Sequence, residues 1–120
     1  MADRINISAR LADGYVRCTL TGRYHMSLIK QVIDDISMAA AAANQARVLI
    51  DTTAVEGPLT EIEKYLVGKQ MAETWSGRLR AAVLERSDRI TKLAENTAVN
   101  RGAIVLVTGS EEEAVRWLVE

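Results

Sequence analysis

The sequence predicts a single α/β domain over residues 1–120, with helices on the faces of a mixed sheet of about five strands. Its first two segments alternate polar and apolar residues with period two, which is typical of strands with one buried face. Three later segments are short and apolar throughout, as strands covered on both faces are. Segments with helical spacing separate them. The predicted order is therefore β-β-α-β-α-β-α-β-α, an antiparallel hairpin followed by a parallel centre.

The N-terminal hairpin follows from the two alternating runs. Apolar residues occupy every second position in residues 5–11 and again in residues 16–20, and Asp13-Gly14 between them is a typical hairpin turn. Each strand has one polar face, which places the hairpin toward an edge of the sheet. Cys18 lies on the apolar face, so we expect a buried and unreactive thiol.

The next elements alternate between helix and strand. Apolar residues recur at helical spacing from Ser27 to about residue 43, and Asn44 is a suitable stop for that helix. Residues 48–50 are apolar on both sides and predict a buried middle strand. A second helix is predicted over residues 59–75, with Thr60 or Pro58 at its start.

The C-terminal part continues the alternation. Residues 81–84 predict another strand buried on both faces, and Ser87-Asp88 is expected to cap a third helix that carries Ile90. Residues 104–107 are expected to form a middle strand that is dry on both sides. Ser110 and Glu113 match the capping-box pattern S-x-x-E, which predicts a last helix.

Composition and charge narrow the classes of function. The chain has 120 residues, 48% of them hydrophobic, and a formal net charge of −1 from 15 basic and 16 acidic residues. Proteins that bind nucleic acid through its phosphates normally carry a basic excess, so we predict no nucleic-acid partner. The nearest approach to a basic patch is interpreted as a solvated face and consists of Arg78, Arg80, Arg86 and Arg89. No stretch reaches the ~18 apolar residues of a membrane span, and the start does not resemble a signal peptide, so we expect a cytoplasmic protein.

Residues that could carry chemistry are few. His25 is the only histidine and Cys18 the only cysteine, which excludes an internal disulfide and gives no cluster of metal ligands. None of the loops carries a phosphate-binding motif, so we predict no metal and no cofactor. Asp51, at the end of a buried strand, and Glu56 in the same loop are the acid-base candidates. Hydrogen bonding of Asp51 to amides of its own turn is the favoured interpretation.

Three stretches of the chain carry a family resemblance. They are YVRCTLTGRYHMSLIKQVIDDI, VLIDTTAVEG and RGAIVLVTGSEEEAVRWL. In order, they resemble the second strand and first helix, the central strand ending in Asp-x-[Ser/Thr], and the last strand and helix of the STAS domain family, the anti-sigma-factor antagonist type of fold. The SpoIIAA-like branch of that family is the most similar. The resemblance covers about the full length and implies a non-enzymatic regulatory domain of bacterial type.

The resemblance also implies a switch site at the start of the second helix. In phosphorylatable antagonists of this family, a Ser or Thr there accepts phosphate from a partner kinase, and the added charge breaks docking to the partner. The family pattern is Asp-Ser-[Ser/Thr]-Gly, and the register set by Asp51 places its first Ser on Thr60, the candidate phosphoacceptor. The other three positions are occupied by Leu59, Glu61 and Ile62, which do not match. Thr60-Glu61-Ile62-Glu63 is also a T-x-x-E capping box, the favoured interpretation.

Three hypotheses of function follow. The favoured one is a non-enzymatic module that binds a protein partner or its own copy through one loop and the adjoining face of the second helix. That candidate interaction loop consists of Asp51, Thr52, Thr53, Glu56, Gly57 and Thr60. The second hypothesis is a carrier for a lipid or other small apolar ligand. Its pocket would be lined by adaptable side chains, Met26, Met38 and Met71, with Trp75, for which core packing is the competing interpretation. The third hypothesis is an enzyme that uses Asp51.

Overall fold

A computed structural model describes residues 4–120, which form a five-stranded mixed sheet flanked by four α-helices. The strands lie in the sheet in the same order as in the chain: β1 (Ile5–Leu11), β2 (Val16–Arg23), β3 (Arg47–Glu56), β4 (Arg80–Leu84) and β5 (Ile104–Thr108). The pair β1–β2 is antiparallel and the other three pairs are parallel. The predicted α/β class, strand number and N-terminal hairpin are confirmed.

The helices divide unequally between the two faces of the sheet. They are α1 (Ile29–Ala42), α2 (Glu61–Trp75), α3 (Leu93–Asn100) and α4 (Glu111–Val119). Helices α1, α2 and α3 contribute to one apolar cluster, which includes Ile36 and Trp75. Helix α4 covers the opposite face with Ala114 and Leu118. The sheet is therefore a layer between two cores of different size.

Strand β3 supplies both cores, because successive side chains of a strand point to opposite faces. Val48 and Ile50 belong to the cluster under α1, α2 and α3, while Leu49 lies in the cluster under α4. All three side chains are buried. The prediction that residues 48–50 form a strand that is dry on both sides is confirmed.

The same prediction for residues 104–107 is wrong. Strand β5 pairs only with β4 and forms a border of the sheet, where the side chain of Ile104 is 49% exposed. Val105 is buried under α3, so one face of the strand is covered as expected. A continuous apolar run predicts that the faces of a strand are buried, but it does not predict whether the strand lies in the middle or at the edge of the sheet.

Local signals at helix ends are confirmed in three places and wrong in a fourth. Asn44 adopts a left-handed φ of 54° after α1, and the hydroxyl of Ser110 accepts the N–H of Glu113 at 3.1 Å at the start of α4. Helix α2 begins after Thr60 rather than at Pro58. The third helix does not start at Ser87: a separate 3-10 turn, Ser87–Arg89, comes first, and α3 begins only after Lys92, whose φ is 65°.

Candidate functional site

The residues predicted to form an interaction loop lie mostly in a strand. Strand β3 continues to Glu56, so Asp51, Thr52, Thr53 and Glu56 are strand residues and the loop prediction is wrong for these four. A β-bulge against β2 lies at this point, because Thr19 is opposite Asp51 but Thr21 is opposite Ala54. The bulge changes the direction of the side chains and lets the strand run on past the buried core.

Asp51 is held in an internal ion pair. Its carboxylate accepts Nη2 of Arg17 at 2.9 Å and both the N–H and the hydroxyl of Thr53, at 3.0 and 2.6 Å. The other arm of Arg17 donates to Glu111 at 2.6 Å, at the start of α4. Partial burial opposes the charge on Arg17, but Glu111 and Asp51 outweigh it and raise the pKa of the guanidinium. Asp51 thus fastens α4 to the sheet through Arg17.

The remaining residues of the predicted loop point in different directions. Thr52 donates its hydroxyl to the carbonyl of Leu84 at 3.0 Å. Glu56 is exposed and lies 3.7 Å from the guanidinium of Arg23. Gly57 has a φ of 91°, a conformation that other residues adopt only with strain, so this position turns the chain out of β3. These groups do not converge on a common point.

Thr60 is the N-cap of α2 and takes part in a complete capping box. Its hydroxyl accepts the N–H of Glu63 at 3.2 Å, and the carboxylate of Glu63 accepts the N–H of Thr60 at 2.8 Å. The predicted capping box is confirmed. Thr60 is exposed, so this capping residue lies at the protein surface.

An exposed apolar surface follows Thr60, on the helix face that was predicted to dock together with the interaction loop, although its apolar residues were not identified from the sequence. Ile62 is 72% exposed, and Tyr65, three positions later, lies on the same side of α2 and is also exposed. Thr60 and Glu61 flank them. We call Thr60, Glu61, Ile62 and Tyr65 the α2 surface. Helix α2 has only a weak amphipathic pattern because it carries apolar residues on its outer side. This is the sequence feature that could have identified the α2 surface.

A partly open cavity of about 160 Å³ lies between α1, α2 and the sheet. Met71 and Trp75 line it, as the carrier hypothesis predicted. Met26 and Met38 do not line it and are exposed, so for them the prediction is wrong. Branched aliphatic side chains form most of the wall: Ile5, Leu20, Leu28, Ile29, Val32, Ile33, Ile36, Ile50, Val55, Leu59, Val67 and Val83.

The polar end of this cavity lies at the carboxyl ends of the parallel strands. Tyr24 directly follows β2, and Glu85 and Arg89 follow β4. The hydroxyl of Tyr24 is buried and has no hydrogen-bond partner within residues 4–120. Burial, together with the negative charge of Glu63, raises the pKa of this phenol, which keeps it protonated.

Comparisons with known proteins agree with this architecture. No family model and no curated protein matches the sequence. Among solved structures, an anti-sigma factor antagonist from Mycobacterium paratuberculosis superposes with a TM-score of 0.65 at 17% identity, over 98% of this chain and 96% of that one. The chain has a SpoIIAA-like fold.

Two further structures support the SpoIIAA-like fold. The anti-sigma factor antagonist SpoIIAA in its unphosphorylated form has a TM-score of 0.56 at 17% identity, over 95% of this chain and 96% of its own. An uncharacterised Shewanella loihica protein described as having a SpoIIAA-like fold gives the same TM-score and identity, over 98% of this chain and 96% of that one. The resemblance stated from the sequence is thereby confirmed for the fold.

Within the SpoIIAA-like fold, the other candidate residues have structural roles. Nδ1 of His25 accepts the N–H of Ser27 at 3.2 Å and caps the 3-10 turn Met26–Leu28 in an exposed position. Cys18 is buried, and burial raises the pKa of its thiol, which confirms the expected buried position. The group Arg78, Arg80, Arg86 and Arg89 is not one free patch. Arg80 stacks over the ring of Trp117 at 4.0 Å, and Arg89 donates to the carbonyl of Val55 at 2.7 Å.

The described part of the chain, residues 4–120, contains no group of three or more His, Cys, Asp or Glu side chains placed to hold a metal ion. None of its helices combines the length and the apolar character that crossing a bilayer requires.

Proposed function

We propose that this chain is a bacterial regulatory module of the STAS type, which acts in the cytoplasm by binding a protein partner and catalyses no reaction. The observation that carries the proposal is the fold, shared over almost the full length with two anti-sigma factor antagonists. By this likeness the partner is a protein of the anti-sigma factor class.

The α2 surface is the proposed docking site. Exposed large apolar side chains are typical of the centres of protein interfaces, and Ile62 and Tyr65 form such a centre. Glu61 lies 3.5 Å from Nζ of Lys64. Arg101 lies over the ring of Tyr65 and donates to its hydroxyl, so charges of both signs border the apolar centre. This arrangement favours a partner with an apolar depression that is itself bordered by both acidic and basic residues. From the predicted loop, the proposal retains Glu56, Gly57 and Thr60.

A pair of matched surface variants tests the docking site. Ile62→Asp and Met38→Asp each place a carboxylate at an apolar position of similar exposure, 72% and 67%, on different helices. We expect Ile62→Asp to weaken binding to the host anti-sigma factor at least ~ten-fold, and Met38→Asp to leave it unchanged. Titration of purified proteins by calorimetry measures both constants.

Self-association is the alternative mode of binding and is measured on the same variants. Sedimentation at high concentration would show a dimer that Ile62→Asp dissociates and Met38→Asp does not. Equal binding by both variants would contradict the assignment of the α2 surface. A wild-type chain that stays monomeric and binds none of the anti-sigma factors of its host would contradict the proposed function itself.

Thr60 is expected to act as a helix cap and to carry no phosphate. Its hydroxyl already accepts the N–H of Glu63, and the carboxylates of Glu61 and Glu63 in the first turn would repel a phosphate there. Peptide mass spectrometry of protein purified from its host should find Thr60 unmodified. The Thr60→Ala variant provides the matched reference peptide, and a stoichiometric phosphothreonine would show that the switch position is in use.

A further inference from the structure

We propose that the cavity between α1, α2 and the sheet is a binding site for a small neutral molecule of about benzene size that carries one hydrogen-bond acceptor. The cavity lies under the helices, and Ile62 of the α2 surface does not line it. The inference therefore does not rest on the proposed protein-binding function and can fail or succeed independently of it.

The size and the walls of the cavity define the apolar part of the ligand. Its volume is about 160 Å³, and a purely apolar protein cavity of about 150 Å³ is known to stay dry and to bind benzene. Aliphatic residues such as Ile33 and Val67 form the wall, with Trp75 among them. This volume accommodates a single ring or a short branched chain, which defines the part of the ligand that lies inside the cavity.

The hydroxyl of Tyr24 defines the polar part of the ligand. It is buried, has no partner within residues 4–120, and belongs to a residue that lines the cavity. A buried polar group without a partner is rare in folded proteins and calls for an explanation, such as a missing ligand. Because the phenol stays protonated, it can donate to a carbonyl, ether or hydroxyl oxygen of a bound molecule.

Charged groups at the same end of the cavity are engaged in hydrogen bonds to the protein. Nζ of Lys64 donates to the carbonyl of Arg89 at 3.1 Å and to the hydroxyl of Thr91 at 3.2 Å. Arg89 donates to the carbonyl of Val55, and the carboxylate of Glu85 accepts the N–H of the next residue at 2.7 Å. Thr52, a further polar lining residue, donates its hydroxyl to the carbonyl of Leu84. Tyr24 is the polar lining residue whose side chain makes no hydrogen bond within residues 4–120, and its neutral donor favours a neutral acceptor on the ligand.

The position agrees with a general property of open α/β sheets. Ligands bind in crevices at the carboxyl ends of the strands, and Tyr24, Gly57 and Glu85 directly follow β2, β3 and β4. Gly57 adds to the opening because it lacks a side chain.

The test compares toluene and phenol, which have nearly the same shape and differ by one hydrogen-bonding oxygen. Each is titrated into the full-length protein while methyl resonances are followed by NMR. We expect saturable shifts at cavity residues, such as Ile33 and Val67, and none at Val115 and Leu118 in the core under α4. Absence of saturable shifts, or shifts spread evenly over both cores, would overturn the proposed site.

The variant Tyr24→Phe tests the polar contact. It removes one oxygen that bonds to nothing in the free protein, so folding is preserved. We expect the affinity for phenol to fall about five-fold, while the affinity for toluene stays within about two-fold. Tyr15→Phe, which removes a hydroxyl from a residue that packs against the core under α4 and does not line the cavity, should change neither constant. Equal changes for both ligands in Tyr24→Phe would overturn the role of Tyr24.

Discussion

At the scale of single residues, the buried hydroxyl of Tyr24 lowers the free energy of unfolding, and removing its oxygen atom should raise it. Its buried hydroxyl has no partner within residues 4–120, and leaving such a group unsatisfied costs about 1–3 kcal/mol. Replacing it with an apolar group of the same shape removes that cost. We expect Tyr24→Phe to raise the free energy of unfolding by about 1 kcal/mol, measured by urea denaturation in the absence of ligand.

Tyr65→Phe is the control for this prediction. The hydroxyl of Tyr65 is exposed and accepts a hydrogen bond from Arg101 at 2.8 Å, so its loss should leave the free energy of unfolding unchanged or slightly lower. If Tyr24→Phe were destabilising, the hydroxyl would have a partner in solution, such as an ordered water.

The thiol of Cys18 and the phenol of Tyr24 predict that the folded chain loses stability at alkaline pH. Burial raises the pKa of Cys18 above its ordinary 9.0, and burial with the charge of Glu63 raises that of Tyr24 above its ordinary 10.0. Above pH 9 the unfolded chain therefore loses protons that the folded chain retains, so the free energy of unfolding falls as pH rises. Urea denaturation from roughly pH 7 to roughly pH 11 should show this decline.

The double variant Cys18→Ala/Tyr24→Phe identifies the source of that decline. Lysines also titrate in this range, so the informative quantity is the difference between the wild type and the double variant. We expect the pH profile of the double variant to be flatter above pH 9, where the thiol and then the phenol of the unfolded wild type ionise. Parallel profiles would mean that neither group changes its pKa on folding.

At the scale of elements, the contact between α2 and α3 depends on a glycine. Gly68 lies in the middle of α2, where Ala would normally be the better helix former by about 1 kcal/mol. A Cβ at this position would collide with the backbone carbonyl of Ala94 and the side chain of Thr97 on α3. We therefore expect Gly68→Ala to lower the free energy of unfolding by about 1–3 kcal/mol, in the opposite direction to its helix propensity.

Glu73→Ala provides the control within the same helix. Glu73 is exposed one and a half turns further along α2, so this change alters helix propensity without touching α3. Its effect on the free energy of unfolding should stay within about 0.5 kcal/mol. A neutral or stabilising Gly68→Ala would show that α3 can move away from α2 at no cost.

Helix ends show which features of the elements a sequence can predict. Thr60, Ser110 and Asn44 were assigned correctly because capping depends on hydrogen bonds between residues only a few positions apart. The start of α3 was missed because Ser87 begins a separate 3-10 turn instead, and α3 starts only after Lys92, which has a left-handed backbone conformation. Cap patterns predict that a turn starts, but they do not predict how far it continues.

At the scale of the whole molecule, the features that were missed depend on distant contacts. The hydrophobic pattern predicted the α/β class and the buried strand β3. It placed β5 in the middle of the sheet, because the sequence of one strand does not show which other strands pair with it. The ion pair of Asp51 with Arg17 joins residues 34 positions apart in the chain. The cavity likewise results from how α1 and α2 sit on the sheet, which Met26 and Met38 could not reveal.

Helix α4 covers one face of the sheet, and we expect the stability of the whole fold to depend on it. Helix α4 alone supplies the helical side of its core, where the fully buried Leu118 packs with Leu49 and Ala82. Leu118→Ala should therefore lower the free energy of unfolding by about 2–5 kcal/mol. Leu11→Ala, at a position that is 63% exposed on β1, should change it by less than about 0.5 kcal/mol.

Strands β3 and β4 contribute side chains to both cores. We therefore expect the Leu118→Ala variant to unfold in a single transition, with the same midpoint by fluorescence and by circular dichroism. Separate transitions would show that α4 detaches while the larger core persists.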